Sequence, residues 1–290
     1  MNQEKNKITP STLYLVATPI GNLADITERA IKVLSEVDFI AAEDTRNSLK
    51  LLSALGIKNE LVSYHEHNKK TSGERIIARL LNGESCAIIT DAGMPAISDP
   101  GEDIVKLCAE AAITVRRVPG ACAAVSALSL SALPTTRFAF EGFLPPSKNE
   151  RLKRLRAVER DDRTLIFYEA PHKLKSTLQD MADVFGGERK ISLCRELTKL
   201  NEETSRTIIS KAIEEYSTKE PRGEYVLVVE GATSIESGAE DTTFTSLPPE
   251  EHVAKLIANG MSKMDAIKKA AKERGIPKSD LYKQLVDFEF

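Results

Sequence analysis

The residues of this sequence with chemistry to offer gather at the ends of short apolar runs. The densest group is Asp91-Ala92-Gly93-Met94-Pro95-Ala96-Ile97-Ser98-Asp99-Pro100-Gly101. It follows the apolar run Cys86-Ala87-Ile88-Ile89-Thr90 and precedes a helix-like run from Glu102 to Ala112. Gly93 and Gly101 accept backbone angles that other residues resist. Pro95 and Pro100 stiffen the loop, and Asp91, Ser98 and Asp99 place short oxygens where a helix start leaves N–H groups free. Such a loop lets main chain approach a ligand closely. It is equally an ordinary strand-to-helix turn, and only its company separates the two. That company is Thr18-Pro19-Ile20-Gly21-Asn22 after Leu13–Ala17, Glu43-Asp44-Thr45-Arg46 after Phe39–Ala42, Tyr64-His65-Glu66-His67 after Leu61–Ser63, and Pro119-Gly120-Ala121-Cys122 after Thr114–Val118.

Carboxylates and imidazoles at strand ends suit general-base work, and Asp44, His65, Glu169 and Glu196 are the candidates. Asp44 is the better placed, ending a strand beside Arg46. Arg46 either holds a phosphate or pairs with Glu43 or Asp44. His65 and His67 lack a third ligand and the cysteines show no zinc spacing, so no metal is expected. No Gly-x-Gly-x-x-Gly follows the first strand, which argues against a dinucleotide held by its pyrophosphate. Pro145-Pro146 is a stiff loop presenting Lys148, and a helix with Arg151, Lys153, Arg154, Arg156 and Arg160 follows. Such side chains can track a nucleic-acid backbone without reading sequence. Glu150, Glu159, Asp161 and Asp162 intersperse them, as on any solvated helix face.

These loops need elements to hold them. Strand-like and helix-like runs alternate through the first part of the chain, which implies a mostly parallel sheet with helices on its faces. The loops then collect along the carboxyl edge, the expected cleft. This N-terminal α/β domain spans 11–125. A helix of small residues, Ala121 to Ala132, leads into a second domain over 126–232, where strands outnumber helices and the pattern is mixed α/β. Residues 233–246 are polar and read as a linker. Residues 247–290 read as a basic helix-turn-helix-like unit carrying Lys263, Lys268, Lys269, Lys272, Arg274, Lys278 and Lys283. The chain of 290 residues has net charge −3, so any RNA contact must use local patches rather than bulk charge. Four cysteines without paired spacing suggest buried thiols of a reducing compartment. With no signal peptide or membrane span in the pattern, a cytoplasmic protein is expected.

Thr18-Pro19-Ile20-Gly21-Asn22-Leu23, Ala42-Glu43-Asp44-Thr45-Arg46, Asp91 to Gly101, Val118-Pro119-Gly120-Ala121 and Phe140-Glu141-Gly142-Phe143-Leu144-Pro145 occur in this order. Together they resemble the ribosomal RNA small subunit methyltransferase I branch of the tetrapyrrole methylase superfamily, over roughly Leu13 to Glu230. The resemblance implies a two-domain tetrapyrrole-methylase-like α/β fold with S-adenosylmethionine in the cleft, here followed by the small helical C-terminal unit. It also implies a homodimer, and methylation of the ribose 2′-hydroxyl of a cytidine in the decoding region of 16S ribosomal RNA, within the small subunit. Carried residue by residue, it assigns the cofactor to Asp91, Ala92, Gly93, Met94, Pro95 and Ser98, with Pro19, Gly21, Ala121, Cys122 and Tyr168. Asp44, Lys148 and Glu169 become the catalytic candidates, and Arg46, Lys148, Arg151, Arg154, Lys268 and Lys272 the RNA contacts. Two rivals stay open: a methylase of a tetrapyrrole or protein side chain with the same fold, and a non-catalytic assembly factor that binds RNA and senses S-adenosylmethionine.

Overall fold

A computed structural model describes residues 7–232, 247–258, 261–285 and 288. The linker expected at 233–246 lies outside the described residues.

The first sheet comprises β1 (Thr12–Val16), β2 (Phe39–Ala42), β3 (Leu61–Ser63), β4 (Cys86–Ile89) and β5 (Thr114–Val118), in the order β3-β2-β4-β1-β5. Every pairing in it is parallel. The central strands are apolar on both faces because helices cover both. Alternation along the strand divides the side chains between two cores. Tyr14, Val16, Ile40 and Ile89 pack with Val33 and Leu34 of α1 (Glu28–Glu36) and Leu52 of α2 (Thr45–Ala54). Leu13, Phe39 and Ile88 pack on the other side with Ile76 and Leu80 of α3 (Lys69–Leu81) and Ile104 and Cys108 of α4 (Gly101–Glu110). The neighbours β1 and β4 therefore send their following helices to opposite faces. A crevice opens at their carboxyl ends, where open α/β sheets take ligands.

The second sheet comprises β6 (Phe138–Phe143), β7 (Thr164–Glu169), β8 (Lys190–Arg195), β9 (Glu203–Ile208) and β10 (Tyr225–Val229), in the order β6-β7-β10-β8-β9. Only the β6–β7 pair is parallel among the described pairings, so the sheet is mixed, as expected. Its helices are α5 (Ala123–Leu130), α6 (Lys148–Val158), α7 (Pro171–Phe185) and α8 (Ile209–Thr218). Helix α8 follows β9 directly, although the β-branched pair Ile208-Ile209 is typical of a strand end. It is held by Ile209, Ala212 and Tyr216, buried at helical spacing. A domain boundary at 125 also falls inside α5. Ala124, Ala127 and Leu128 pack on Ile166, Cys194, Val226 and Val228, so the helix belongs wholly to the second sheet. The chain crosses over earlier, between β5 and α5.

The C-terminal unit has helices α9 (Pro249–Ala258), α10 (Lys263–Glu273) and α11 (Lys278–Gln284). Val253, Leu256, Ala266, Ile267, Ala270 and Leu281 form its core, and Ser262 caps α10 by accepting from Asp265 N–H. His252 is fully buried. Its Nδ1 accepts from Arg274 Nε at 3.1 Å, which puts the ring proton on Nε2, facing Glu273 Oε2 at 2.9 Å. No helix among the described residues is long and apolar enough to cross a membrane.

Candidate active site

Three loops interlock over the crevice between β1 and β4. Thr18 N–H donates to the Gly93 carbonyl at 2.9 Å, and Gly93 N–H donates back to Thr18 at 3.2 Å. The Thr18 hydroxyl donates to the Thr90 carbonyl at 3.2 Å. Gly93 has φ +85°, and a Cβ there would stand 3.2 Å from Ile20 Cγ2 and 3.7 Å from the Ala121 carbonyl oxygen. The loops after β1, β4 and β5 thus meet at one glycine. Beyond it the chain turns through Ala96 (φ 67°) and Ser98 (φ 63°), both left-handed. Asp99 holds that turn: its Oδ1 accepts from Ala96 N–H at 2.9 Å and Gly101 N–H at 2.7 Å. Gly93 and Pro95 are buried beneath, while Asp91, Ala92, Ile97 and Ser98 are exposed above. Gly93→Ala should cost about 1–3 kcal/mol of stability from the left-handed backbone alone. Urea unfolding of the variant checks this, and an unchanged midpoint would remove Gly93 from the keystone position.

The second sheet supplies a wall. Gly142 (φ +65°) lies where the β6–β7 register shifts, and a Cβ there would stand 3.1 Å from Ser98 Oγ. Flanking it, Phe140 and Phe143 both meet Tyr168 edge to face, with centroids 5.0 and 5.4 Å away. Burial, with the Cys122 thiol adding, pushes the Tyr168 hydroxyl up to about 12, so the wall stays neutral. Cys122 itself is half-buried at the start of α5.

The polar candidates separate clearly. Asp44 caps α2 by accepting from Arg46 N–H at 2.8 Å and pairs with the Arg46 guanidinium at 3.1 Å. The Arg46 hydrogen bonds hold its carboxyl below the ordinary range. Glu169 is buried, with Oε1 accepting from Ala170 N–H at 2.8 Å and Oε2 from the Thr177 hydroxyl at 2.5 Å. That arrangement latches the start of α7 with both carboxylate oxygens already accepting, which weighs against the catalytic expectation for Glu169. Glu196 is tied to Lys199 at 2.8 Å and to Glu224 N–H at 3.0 Å. The surroundings of Arg151 weigh likewise against its expected role as an RNA contact. Its side chain is only 8 % exposed and it grips the buried Asp180 at 2.6 Å. Lys148 is 66 % exposed, 3.8 Å from Asp180. Arg154 is half-exposed and pairs with Glu141, whose side chain is buried. Lys268 and Lys272 are exposed on α10 without an ion pair among the described residues.

The residue that sequence reasoning passed over is Glu43. Ala42 lies opposite Ile89 in the β2–β4 register, so the next residues, Glu43 and Thr90, are neighbours. The Thr90 hydroxyl donates to Glu43 Oε2 at 3.2 Å. Burial, with the charges of Asp91 and Asp99 adding, pushes the Glu43 carboxyl above the ordinary range, against the Thr90 hydrogen bond and the nearby His65. His65 Nδ1 is buried with no hydrogen-bond partner among the described residues. The described residues hold no group of three or more His, Cys, Asp or Glu suited to a metal ion. The site therefore offers a backbone-lined floor, an aromatic wall and, among its half-buried carboxylates, a Glu43 carboxyl raised above the ordinary range.

The profile of the family described as Tetrapyrrole (Corrin/Porphyrin) Methylases matches residues 12–213. The chain belongs to this family. The methylase is 50 % identical over 272 residues to the Ribosomal RNA small subunit methyltransferase I of Halalkalibacterium halodurans, covering 93 % of each chain. It is 48 % identical over 270 residues to the protein of that name from Bacillus subtilis, covering 93 % of this chain and 92 % of that one. Among solved structures, the uroporphyrin-III-C-methyltransferase of Thermus thermophilus superposes with a TM-score of 0.54 over 76 % of this chain and 94 % of that one. At 23 % identity this likeness shows the shared fold. The methylase is thus a methyltransferase enzyme, and its chemistry calls for a methyl donor.

Proposed function

We propose that this methylase transfers the methyl group of S-adenosylmethionine to the ribose 2′-hydroxyl of a cytidine in the decoding region of 16S ribosomal RNA. It acts on the small ribosomal subunit, as a cytoplasmic homodimer. The observation that carries the reading is near-half identity, over more than nine-tenths of both chains, to proteins named as small-subunit rRNA methyltransferases.

The residues at the crevice fit the donor. A sulfonium cofactor has no phosphate to cradle, and the crevice offers close main chain at Gly93 and Ala121 with a neutral aromatic wall at Tyr168. Asp91, Ala92, Gly93, Met94, Pro95 and Ser98 would hold it from one side, with Pro19, Gly21, Ala121, Cys122 and Tyr168 around them. Bound there, it supplies an electrophilic methyl group. The chain's own contribution is first positioning, which is worth about 7–11 kcal/mol when reacting atoms are held in line. Glu43 receives the hydroxyl proton, a role better suited to it than to Asp44, whose lone pairs already serve Arg46. Lys148, Arg154 and the exposed Arg46 guanidinium would meet phosphates near the cleft, and Lys268 and Lys272 would do so on the C-terminal unit.

The test is transfer of labelled methyl from S-adenosylmethionine to small subunits from a strain lacking this protein, with mass mapping of the RNA. One methylated cytidine ribose is expected. Transfer to no RNA by protein that still binds the donor would overturn the reading in favour of a small-molecule or protein substrate.

A further inference from the structure

Phe143 is the last residue of β6 and is 61 % exposed, a large apolar side chain left open at the rim of the cleft. Its position is built rather than incidental. The register shift between Phe140 and Gly142 puts Phe140 and Phe143 on the same side of the strand, although strict alternation would place residues three apart on opposite faces. Both rings then reach Tyr168, which anchors them edge to face at 5.0 and 5.4 Å. Gly142, where a Cβ would stand only 3.1 Å from Ser98 Oγ, brings the central loop alongside. The three rings form a short aromatic series, half-buried at Phe140 and Tyr168 and open at Phe143. Past the ring, Leu144 is buried and the Pro145-Pro146 turn leads to Lys148, whose side chain is 66 % exposed. An open ring followed by an exposed cation on a stiff turn is the pairing that single-stranded nucleic acid finds in its binding proteins: stacking for a base, charge for its phosphate.

We infer that Phe143 is a stacking platform for an unpaired nucleobase of the RNA substrate, holding the nucleotide while its ribose lies at the methyl-transfer site. The inference rests on the RNA reading above and adds a positioning residue to it. A base must leave its stack to be held this way. A ring face accepts any base, so Phe143 positions the nucleotide without choosing its identity.

The test uses the full chain and small subunits lacking the modification. Phe143→Ala should lower kcat/KM for the RNA roughly five- to hundredfold, the range for loss of one stacked base. Its Kd for S-adenosylmethionine, measured by calorimetry, should stay within about twofold of the parent's. Phe143→Leu keeps an apolar side chain and loses the ring face, so it should fall with the alanine variant. Phe143→Tyr should restore the rate. Phe138→Ala, at the other end of the same strand and 42 % exposed, should leave it unchanged. The chain has no tryptophan, so Phe143→Trp installs a single indole whose fluorescence should be quenched when RNA binds. Unaltered kcat/KM in Phe143→Ala, full activity in Phe143→Leu, or a parallel loss of donor affinity would each overturn the platform. Failure of the underlying reading looks different: the parent enzyme itself would methylate no RNA.

Discussion

Glu43→Gln should lower methyl transfer by roughly 10²- to 10⁴-fold, the usual contribution of a positioned general base, with donor affinity intact. The amide keeps the shape and can still accept from the Thr90 hydroxyl, but it cannot take the proton. The parent's pH profile carries the same signature. Only the ionised carboxylate accepts, and burial raises the Glu43 pKa, so activity should climb with pH through a limb lying above the ordinary glutamate range. Stability runs the other way. A carboxyl whose folded pKa exceeds its unfolded pKa favours the fold when protonated. That advantage is full below the unfolded value and is lost as pH rises through the folded one. Once ionised, the half-buried Glu43 is therefore a burden, and above its own titration limb Glu43→Gln should melt at or above the parent's temperature. An inactive variant that is no less stable identifies a chemical role. A Glu43→Gln enzyme with the parent's rate and acid limb would return the search to Asp44.

Arg151→Ala should be strongly damaging to the fold. Arg151 and Asp180 have side chains only 8 % and 3 % exposed, joined at 2.6 and 2.7 Å, and the guanidinium also donates to the Pro146 carbonyl at 3.1 Å. Removing one partner of a buried pair leaves the other as an uncompensated charge, at a cost of about 3–5 kcal/mol. For a domain of this size that is roughly 6–20 °C of melting temperature. Lys148, 3.8 Å from Asp180, is too exposed to replace the lost partner. Replacing both members, as in Arg151→Met with Asp180→Leu, should recover much of the loss, because the pair then leaves no orphan. Thermal denaturation of the three proteins decides the matter. An Arg151→Ala protein of parental stability with weakened RNA binding would restore Arg151 to the phosphate track.

The first sheet was readable because its strands are short, apolar and separated by helix-patterned stretches, so type and order follow from periodicity alone. What escaped was whatever depended on a neighbour. In the sequence Thr71-Ser72-Gly73 looks like a break, yet it lies within the first turns of α3. In the fold Gly73 is helical, and its bare Cα allows close approach: a Cβ there would come within 2.9 Å of Leu107 Cδ1. Arg151 looked like its basic neighbours because Asp180 lies 29 positions away in the chain. The adjacent acids Glu43 and Asp44 are equivalent in a strand-end pattern. Only the β2–β4 register, which sets Glu43 beside Thr90, and the cap that engages Asp44 tell them apart. The loops were legible as ligand-facing, whereas their partners were not.

The left-handed turn at Ala96 and Ser98, fastened by the single carboxylate of Asp99, has a bearing on kinetics. Two unfavourable backbone conformations of order 1–3 kcal/mol each are accepted when the chain folds, not when a ligand arrives. A segment tied to both Ala96 and Gly101 N–H does not need to close over its guest and reopen at each turnover. Enzymes with lids are commonly limited by that reopening. The order of this loop is set when the chain folds, so the loop itself adds no such reopening to the cycle.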